Sequence, residues 1–176
     1  MKKKLPPLTL VLGGAGSGKS AFAERLVKET DQSRHYIATA QAFDAEMKAK
    51  IADHKAQRGK GWTTHEAPFD VSKPLSLATP EDVVLLDCAT LWLSNQLLAE
   101  HELAAETESF LNAVTACAAP VVVVSNEVGQ GIVPDTKLGR QFRNAQGKLN
   151  QELAARADLA VLVIAGLPQV LKGALP

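Results

Sequence analysis

The chain has 176 residues, 46% of them hydrophobic, with 19 Lys plus Arg against 19 Asp plus Glu. That length suits a single domain over 1–176, and that apolar share can bury a sizeable core, which argues against intrinsic disorder. Balanced charge gives no reason to expect nucleic acid or an anionic membrane as the main partner, so any phosphate chemistry has to come from a local site. The basic start Met1-Lys2-Lys3-Lys4-Leu5-Pro6-Pro7 is followed by too short an apolar stretch for a signal peptide. No run reaches the roughly 18 apolar residues that a membrane helix needs. The expected setting is the cytoplasm, with Cys88 and Cys117 as reduced, buried thiols outside any C-x-x-C or metal spacing.

Leu8 to Leu12 is an apolar run ending in glycines and reads as a buried strand. Ser20 to Glu29 has helical spacing, with Phe22, Leu26 and Val27 on one side. His35 to Ala38 reads as a second strand. Asp44 is placed to cap a helix running to about Gln57, which Gly59 and Gly61 end. Trp62-Thr63-Thr64 reads as a short edge strand, and Lys60 to Pro80 as an irregular surface excursion. Val83 to Asp87 is a strand closing on an acid. Helices follow over Leu91 to Ala99 and about Ala105 to Ala118. Val121 to Val124 is the most strand-like segment. Asp135 to Ala157 is a long amphipathic helix, and Leu159 to Ile164 the last clear strand, with Gly166 to Pro176 expected to fray. Apolar strands alternating with helices imply a mostly parallel sheet with helices on both faces.

Gly13-Gly14-Ala15-Gly16-Ser17-Gly18-Lys19-Ser20 fits G-x-x-x-x-G-K-[ST] at every fixed position, between a strand and a helix. Glycines let successive backbone N–H groups turn inward, and the helix N-terminus adds partial positive charge. Lys19 can reach β and γ phosphates, and the Ser20 hydroxyl can bind Mg²⁺. Asp87, at a strand end, stands where a second Mg²⁺-holding acid belongs. The expected fold is therefore α/β, P-loop NTPase-like in its RecA-like form.

A P-loop does not name a reaction. No N-K-x-D, H-R-D or D-F-G motif occurs, which leaves a small metabolite kinase as the natural default and a nucleotide-dependent switch or assembly ATPase as the competing class. That default does not explain His54. Met47, Ile51, His54 and Arg58 share one helix face by the i, i+4, i+7, i+11 rule. A neutral imidazole can attack phosphorus near neutral pH, with Lys55 and Arg58 as the cations to hold the phosphates.

These residues, in order with Tyr36-Ile37-Ala38-Thr39, Asp44-x-Glu46-Met47, Trp62, Leu86-Asp87-Cys88, the block Ser125 to Pro134, Arg140-x-Phe142-Arg143 and Leu149-Asn150-Gln151, resemble the bifunctional adenosylcobinamide kinase/adenosylcobinamide-phosphate guanylyltransferase family. The resemblance covers nearly the whole chain. It implies phosphorylation of adenosylcobinamide by ATP or GTP, then transfer of GMP from GTP through a guanylyl-histidine to give adenosylcobinamide-GDP. The matching histidine is His54. The resemblance also places Thr39, Arg58, Glu66 and Asp87 near the nucleotide, Glu66 as an acceptor for a guanine edge or ribose hydroxyl, and implies a homotrimer. The chain departs from the family pattern at Gly16, where relatives often carry Arg, and at Asp87, which replaces a frequent Glu. Asp53 stands where many relatives have a second histidine.

Overall fold

The computed structural model describes residues 3–176, except for the side chains of 50 and 57. The Met1-Lys2 start of the basic N-terminal stretch lies outside the described residues. The elements are β1 (Leu8–Gly13), α1 (Lys19–Lys28), β2 (Ser33–Ala38), α2 (Ala45–Arg58), β3 (Trp62–Glu66), α3 (Ser72–Leu77) and β4 (Asp82–Asp87). They continue with α4 (Ala89–Leu98), α5 (Leu103–Ala116), β5 (Val121–Asn126), α6 (Lys137–Arg156), β6 (Leu159–Ile164) and β7 (Leu167–Lys172).

The seven strands form one sheet in the order β3-β2-β4-β5-β1-β6-β7. All pairings are parallel except β6 with β7. β5 lies between the glycine-turn strand β1 and the acid-bearing strand β4, the arrangement expected of the RecA-like form. The central strands are apolar on both faces because both are covered. Leu8, Leu10, Leu86, Val121 and Val123 pack beneath α3 to α6. Val11, Leu85, Val122 and Val124 pack against Phe22, Ala23, Leu26 and Val27 of α1.

Strand alternation then decides the site. Residues sharing a parity share a face. Asp87 follows Val83 and Leu85, and Asn126 follows Val122 and Val124, so both point to the face that α1 occupies.

Two expectations are corrected. Lys60 to Pro80 is not an irregular excursion: it holds β3 and α3, with Ala67, Val71 and Leu75 in the core. Gly166 to Pro176 does not fray throughout, because Leu167–Lys172 folds back as antiparallel β7. Ala165 and Gly166, at φ 51 and 77, form the two-residue turn, and such left-handed pairs suit the twist of a tight hairpin.

Candidate active site

The cradle runs from the tip of β1 into α1. Gly16 and Gly18 take φ of 67 and 88, the left-handed region in which side chains are strained. At Gly13 an added Cβ would lie 2.8 Å from the Val163 carbonyl oxygen and strike the Ser17 side chain. The loop is held from outside as well: Gly166 N–H donates to the Ser17 carbonyl at 2.8 Å, and Glu127 N–H to the Gly13 carbonyl at 3.0 Å. The β6–β7 turn, which no motif connects with phosphate, is thus a buttress of the cradle.

Lys19 is buried, and its ammonium donates to the Gly14 carbonyl at 3.1 Å. The Ser17 hydroxyl is buried with no hydrogen-bond partner. A buried polar group normally has one, so this orphan suits a loop built to close around a polar ligand. Ala15 and Gly16 are exposed at the rim.

Asp87 collects the neighbouring chemistry. Its carboxylate accepts from the Tyr36 hydroxyl at 3.2 Å, and the Ser20 hydroxyl is among the groups that act on it. Burial pushes its pKa above the ordinary carboxylate value, against the Tyr36 and Ser20 hydroxyls and the positive charges of His54 and Lys19. His54 on α2 and Lys19 on α1 therefore both act on one carboxyl. Ser20 and Asp87 supply hard oxygen donors side by side, the donor chemistry that Mg²⁺ takes.

Thr39, which the family resemblance places near the nucleotide, lies at the end of β2 beside the residue after Asp87. It is fully buried, and its hydroxyl donates to the Cys88 carbonyl (2.7 Å) and accepts from the Cys88 N–H (2.8 Å). It ties the end of β2 to the residue after Asp87. Cys88 is an inert thiol, its pKa pushed up to about 12 by burial and then by Asp87.

The shared face on α2 is present: Met47 and Ile51 are half-buried and Arg58 is buried, whereas His54 and Lys55 are exposed. The Arg58 guanidinium carbon sits 3.4 Å from the centroid of the Tyr36 ring. Glu66, at the end of edge strand β3 and in register with Ala38, is exposed; it shares the C-terminal edge of the sheet but not the cluster around Asp87.

A polar network behind β5 is the part that motif reading left without a role. Ser125 donates to Asn150 (2.6 Å), Gln146 to both Ser125 and Asn150 (2.9 Å each), and Asn150 to the Asn126 carbonyl (3.0 Å). Thr90 accepts from the Asn126 N–H at 2.7 Å. Downstream, Arg143 donates to the Gly129 carbonyl (2.6 Å), and Glu127 accepts from the Gly129 N–H (2.7 Å). Hydrogen-bond networks of this kind restrain the backbone, and here they hold Ser125, Asn126 and Gly129 beside the cradle, with Gln146 Oε1 left buried and unpartnered.

A glycine cradle, its lysine and a strand-end acid on a RecA-like sheet define a P-loop nucleotide-binding enzyme. Solved structures agree on the fold. The flagellar accessory protein FlaH of Methanocaldococcus jannaschii aligns with a TM-score of 0.52 at 13% identity, over 94% of this chain and 78% of that one. An ATPase of the type III secretion system of pathogenic bacteria aligns at 0.53 and 9%, over 93% and 56%. Within that class the chain belongs to the family described as cobinamide kinase / cobinamide phosphate guanyltransferase, which matches residues 9–171. Curated relatives include the bifunctional adenosylcobalamin biosynthesis protein CobP of Pseudomonas aeruginosa, 43% identical over 93% of this chain and 96% of its own. The protein CobU of Salmonella typhimurium is 41% identical over 91% and 97%. No helix among the described residues is long and apolar enough to cross a membrane.

Proposed function

We propose that the protein phosphorylates adenosylcobinamide with ATP or GTP at the cradle, and then transfers GMP from GTP to the product through a guanylyl-His54 intermediate. The observation that carries this reading is the buried Lys19 of the glycine cradle and the strand-end Asp87 held by Tyr36, whose ring also seats Arg58 one helical turn from His54. One site then serves two attacks on phosphorus.

In the first, the substrate hydroxyl oxygen bonds to the γ-phosphorus and the bond to the bridging oxygen breaks. Lys19 and the inward N–H groups of 13–20 stabilise the charge that develops. In the second, an imidazole nitrogen of His54 bonds to the α-phosphorus and pyrophosphate leaves. A phosphate oxygen of adenosylcobinamide phosphate then displaces the imidazole, the N–P bond breaks, and adenosylcobinamide-GDP forms. Protonated imidazole is a good leaving group, which makes the two-stage route economical. Mg²⁺ held by Ser20 and Asp87 would neutralise charge on the transferred phosphates. Lys55 and Arg58 are the cations nearest in sequence to the nucleophile, and Glu66 is the candidate acceptor for the guanine edge or ribose. The family resemblance extends the proposal to a cytoplasmic homotrimer, which sedimentation equilibrium would read directly.

The test uses GTP labelled at the α-phosphate. Wild-type protein should retain acid-labile, alkali-stable label after denaturation. His54→Ala should lose the label and still phosphorylate adenosylcobinamide. A His54→Ala protein that labels normally would show that the nucleophile lies elsewhere. Wild-type protein that phosphorylates but never labels would favour the second reading, a metabolite kinase with no covalent nucleotide.

A further inference from the structure

Tyr36 touches both halves of this site. Its hydroxyl donates to Asp87 Oδ2 at 3.2 Å. Its ring face carries the Arg58 guanidinium at 3.4 Å. The ring is gripped edge-on by Trp62, centroids 6.0 Å apart at 88°. It is 6% exposed. Burial, then Asp87, pushes the phenol pKa well above its ordinary value, so the group stays a donor.

A Phe would fill this part of the core equally well. A buried hydroxyl needs a partner, and the partner here is the acid of the cradle. That bond holds one carboxylate oxygen, Oδ2, and so restricts the rotation of the group. Arg58 closes α2, one turn beyond His54, and is the buried end of a helix whose remaining described side chains are half-buried or exposed. A planar guanidinium laid flat on an aromatic face has its height fixed by the ring. Residues four apart in a helix lie on one side, one above the other. The seat of Arg58 therefore sets the place of the turn that bears His54.

We propose that Tyr36 is a positioning residue for both transfers: its hydroxyl orients Asp87 towards the cradle, and its ring seats Arg58 and thereby the His54 turn of α2. The second half rests on the covalent reading above.

Three variants separate the roles. Tyr36→Phe keeps the ring and removes the hydroxyl. Tyr36→Met removes the ring while refilling the space with a flexible apolar chain. Trifluorophenylalanine at 36 keeps the shape of Phe but drains the ring face of negative charge, so it remains informative should the Met variant fail to fold. Two readouts are taken: Mn²⁺ affinity of the ADP-bound protein by electron paramagnetic resonance, and the rate of His54 labelling from GTP divided by the rate of adenosylcobinamide phosphorylation.

Tyr36→Phe should bind Mn²⁺ about 2- to 10-fold more weakly, the loss of one hydrogen bond, with the ratio unchanged. The Met and trifluoro variants should show the same Mn²⁺ loss and a ratio several-fold below that of Tyr36→Phe. Wild-type Mn²⁺ affinity in Tyr36→Phe would overturn the hydroxyl half. An unchanged ratio in the trifluoro variant would overturn the seating half. If wild-type protein takes no label at all, the covalent reading falls and the seating half with it, while Mn²⁺ affinity still decides the hydroxyl half.

Discussion

The cradle and helix α2, which the proposed function assigns to the same phosphates, are built in opposite ways. The cradle is fixed from several sides: two buried strands flank it, Gly166 and Glu127 bond to its carbonyls, and Lys19 folds back on Gly14. α2 is a surface helix. It is capped at one end by Asp44, which accepts from the Met47 N–H at 2.7 Å, and seated at the other by Arg58 on Tyr36. Phosphate binding gains from backbone that is already in place, since no ordering cost falls on the reaction. In the proposed function His54 acts in only one of two steps, which sets a different demand, because its helix has to leave room for a second substrate. Local stability follows buried apolar contact, so α2 belongs to the weaker end of this molecule and the cradle to the stronger.

The largest break in that contrast should come from Gly13→Ala. The new methyl would meet the Ser17 side chain and the Val163 carbonyl, and the latter is backbone that cannot rotate away. Overpacking of this kind costs about 1–3 kcal/mol, and here it displaces the phosphate-binding turn itself. Both half-reactions should fall together by at least about tenfold, with a lower unfolding midpoint. A Gly13→Ala protein with wild-type kinase turnover would show that the cradle is more yielding than its packing implies.

The same contrast marks how far the sequence could be read. The cradle was legible residue by residue, because G-x-x-x-x-G-K-[ST] is a local pattern with a local mechanism. The four inner strands β1, β4, β5 and β6 were legible too, since burial writes itself as runs of Val and Leu. β7 was not: Leu167, Val170 and Leu171 are apolar without being buried, and Pro168 interrupts the run, so no period marks it. α3 was hidden for the opposite reason, six residues being too few for a helical period to appear. His54 was picked out by its spacing with Arg58, but that Arg58 would lie on Tyr36 depends on β2 and α2 meeting in space. Thr39 shows the same limit. The family resemblance places it near the nucleotide, and only the approach of β2 to β4 reveals that its hydroxyl is engaged by Cys88.

A smaller effect should come from Asp44→Ala. Removing an N-cap acceptor costs about 1 kcal/mol of helix stability. In a well-packed helix that loss would appear in global unfolding. In α2, with so little buried beyond Arg58, it should appear first as faster amide exchange over residues 45–50. GTP-dependent labelling of His54 should slow several-fold while phosphorylation of adenosylcobinamide stays near wild type. Equal loss of both activities would mean that α2 and the cradle move as one body, and the contrast drawn above would not hold.

The smallest effect is pH-dependent and falls on the strands that α2 connects. His35 on β2 and His65 on β3 stack with rings 5.2 Å apart, and His35 Nδ1 faces His65 Nε2 at 2.9 Å. One proton can lie between those nitrogens, not two. Burial first, and His35 second, lower the His65 pKa below its ordinary value. The folded protein therefore binds fewer protons than the unfolded chain as pH drops through the imidazole range. Its stability is full above the unfolded value of about 6.5 and declines as pH falls from there to the lower folded value, levelling off beneath it. Partial exposure of His65 screens the effect, so the net cost should stay below about 1 kcal/mol. Amide exchange at pH 5.5 and 7.5 would show it: residues 62–66 should lose protection on acidification while 8–13 do not, and His65→Gln should remove most of that difference. If the β1 amides lost protection equally, the weakness would belong to the whole sheet and not to the edge that carries α2.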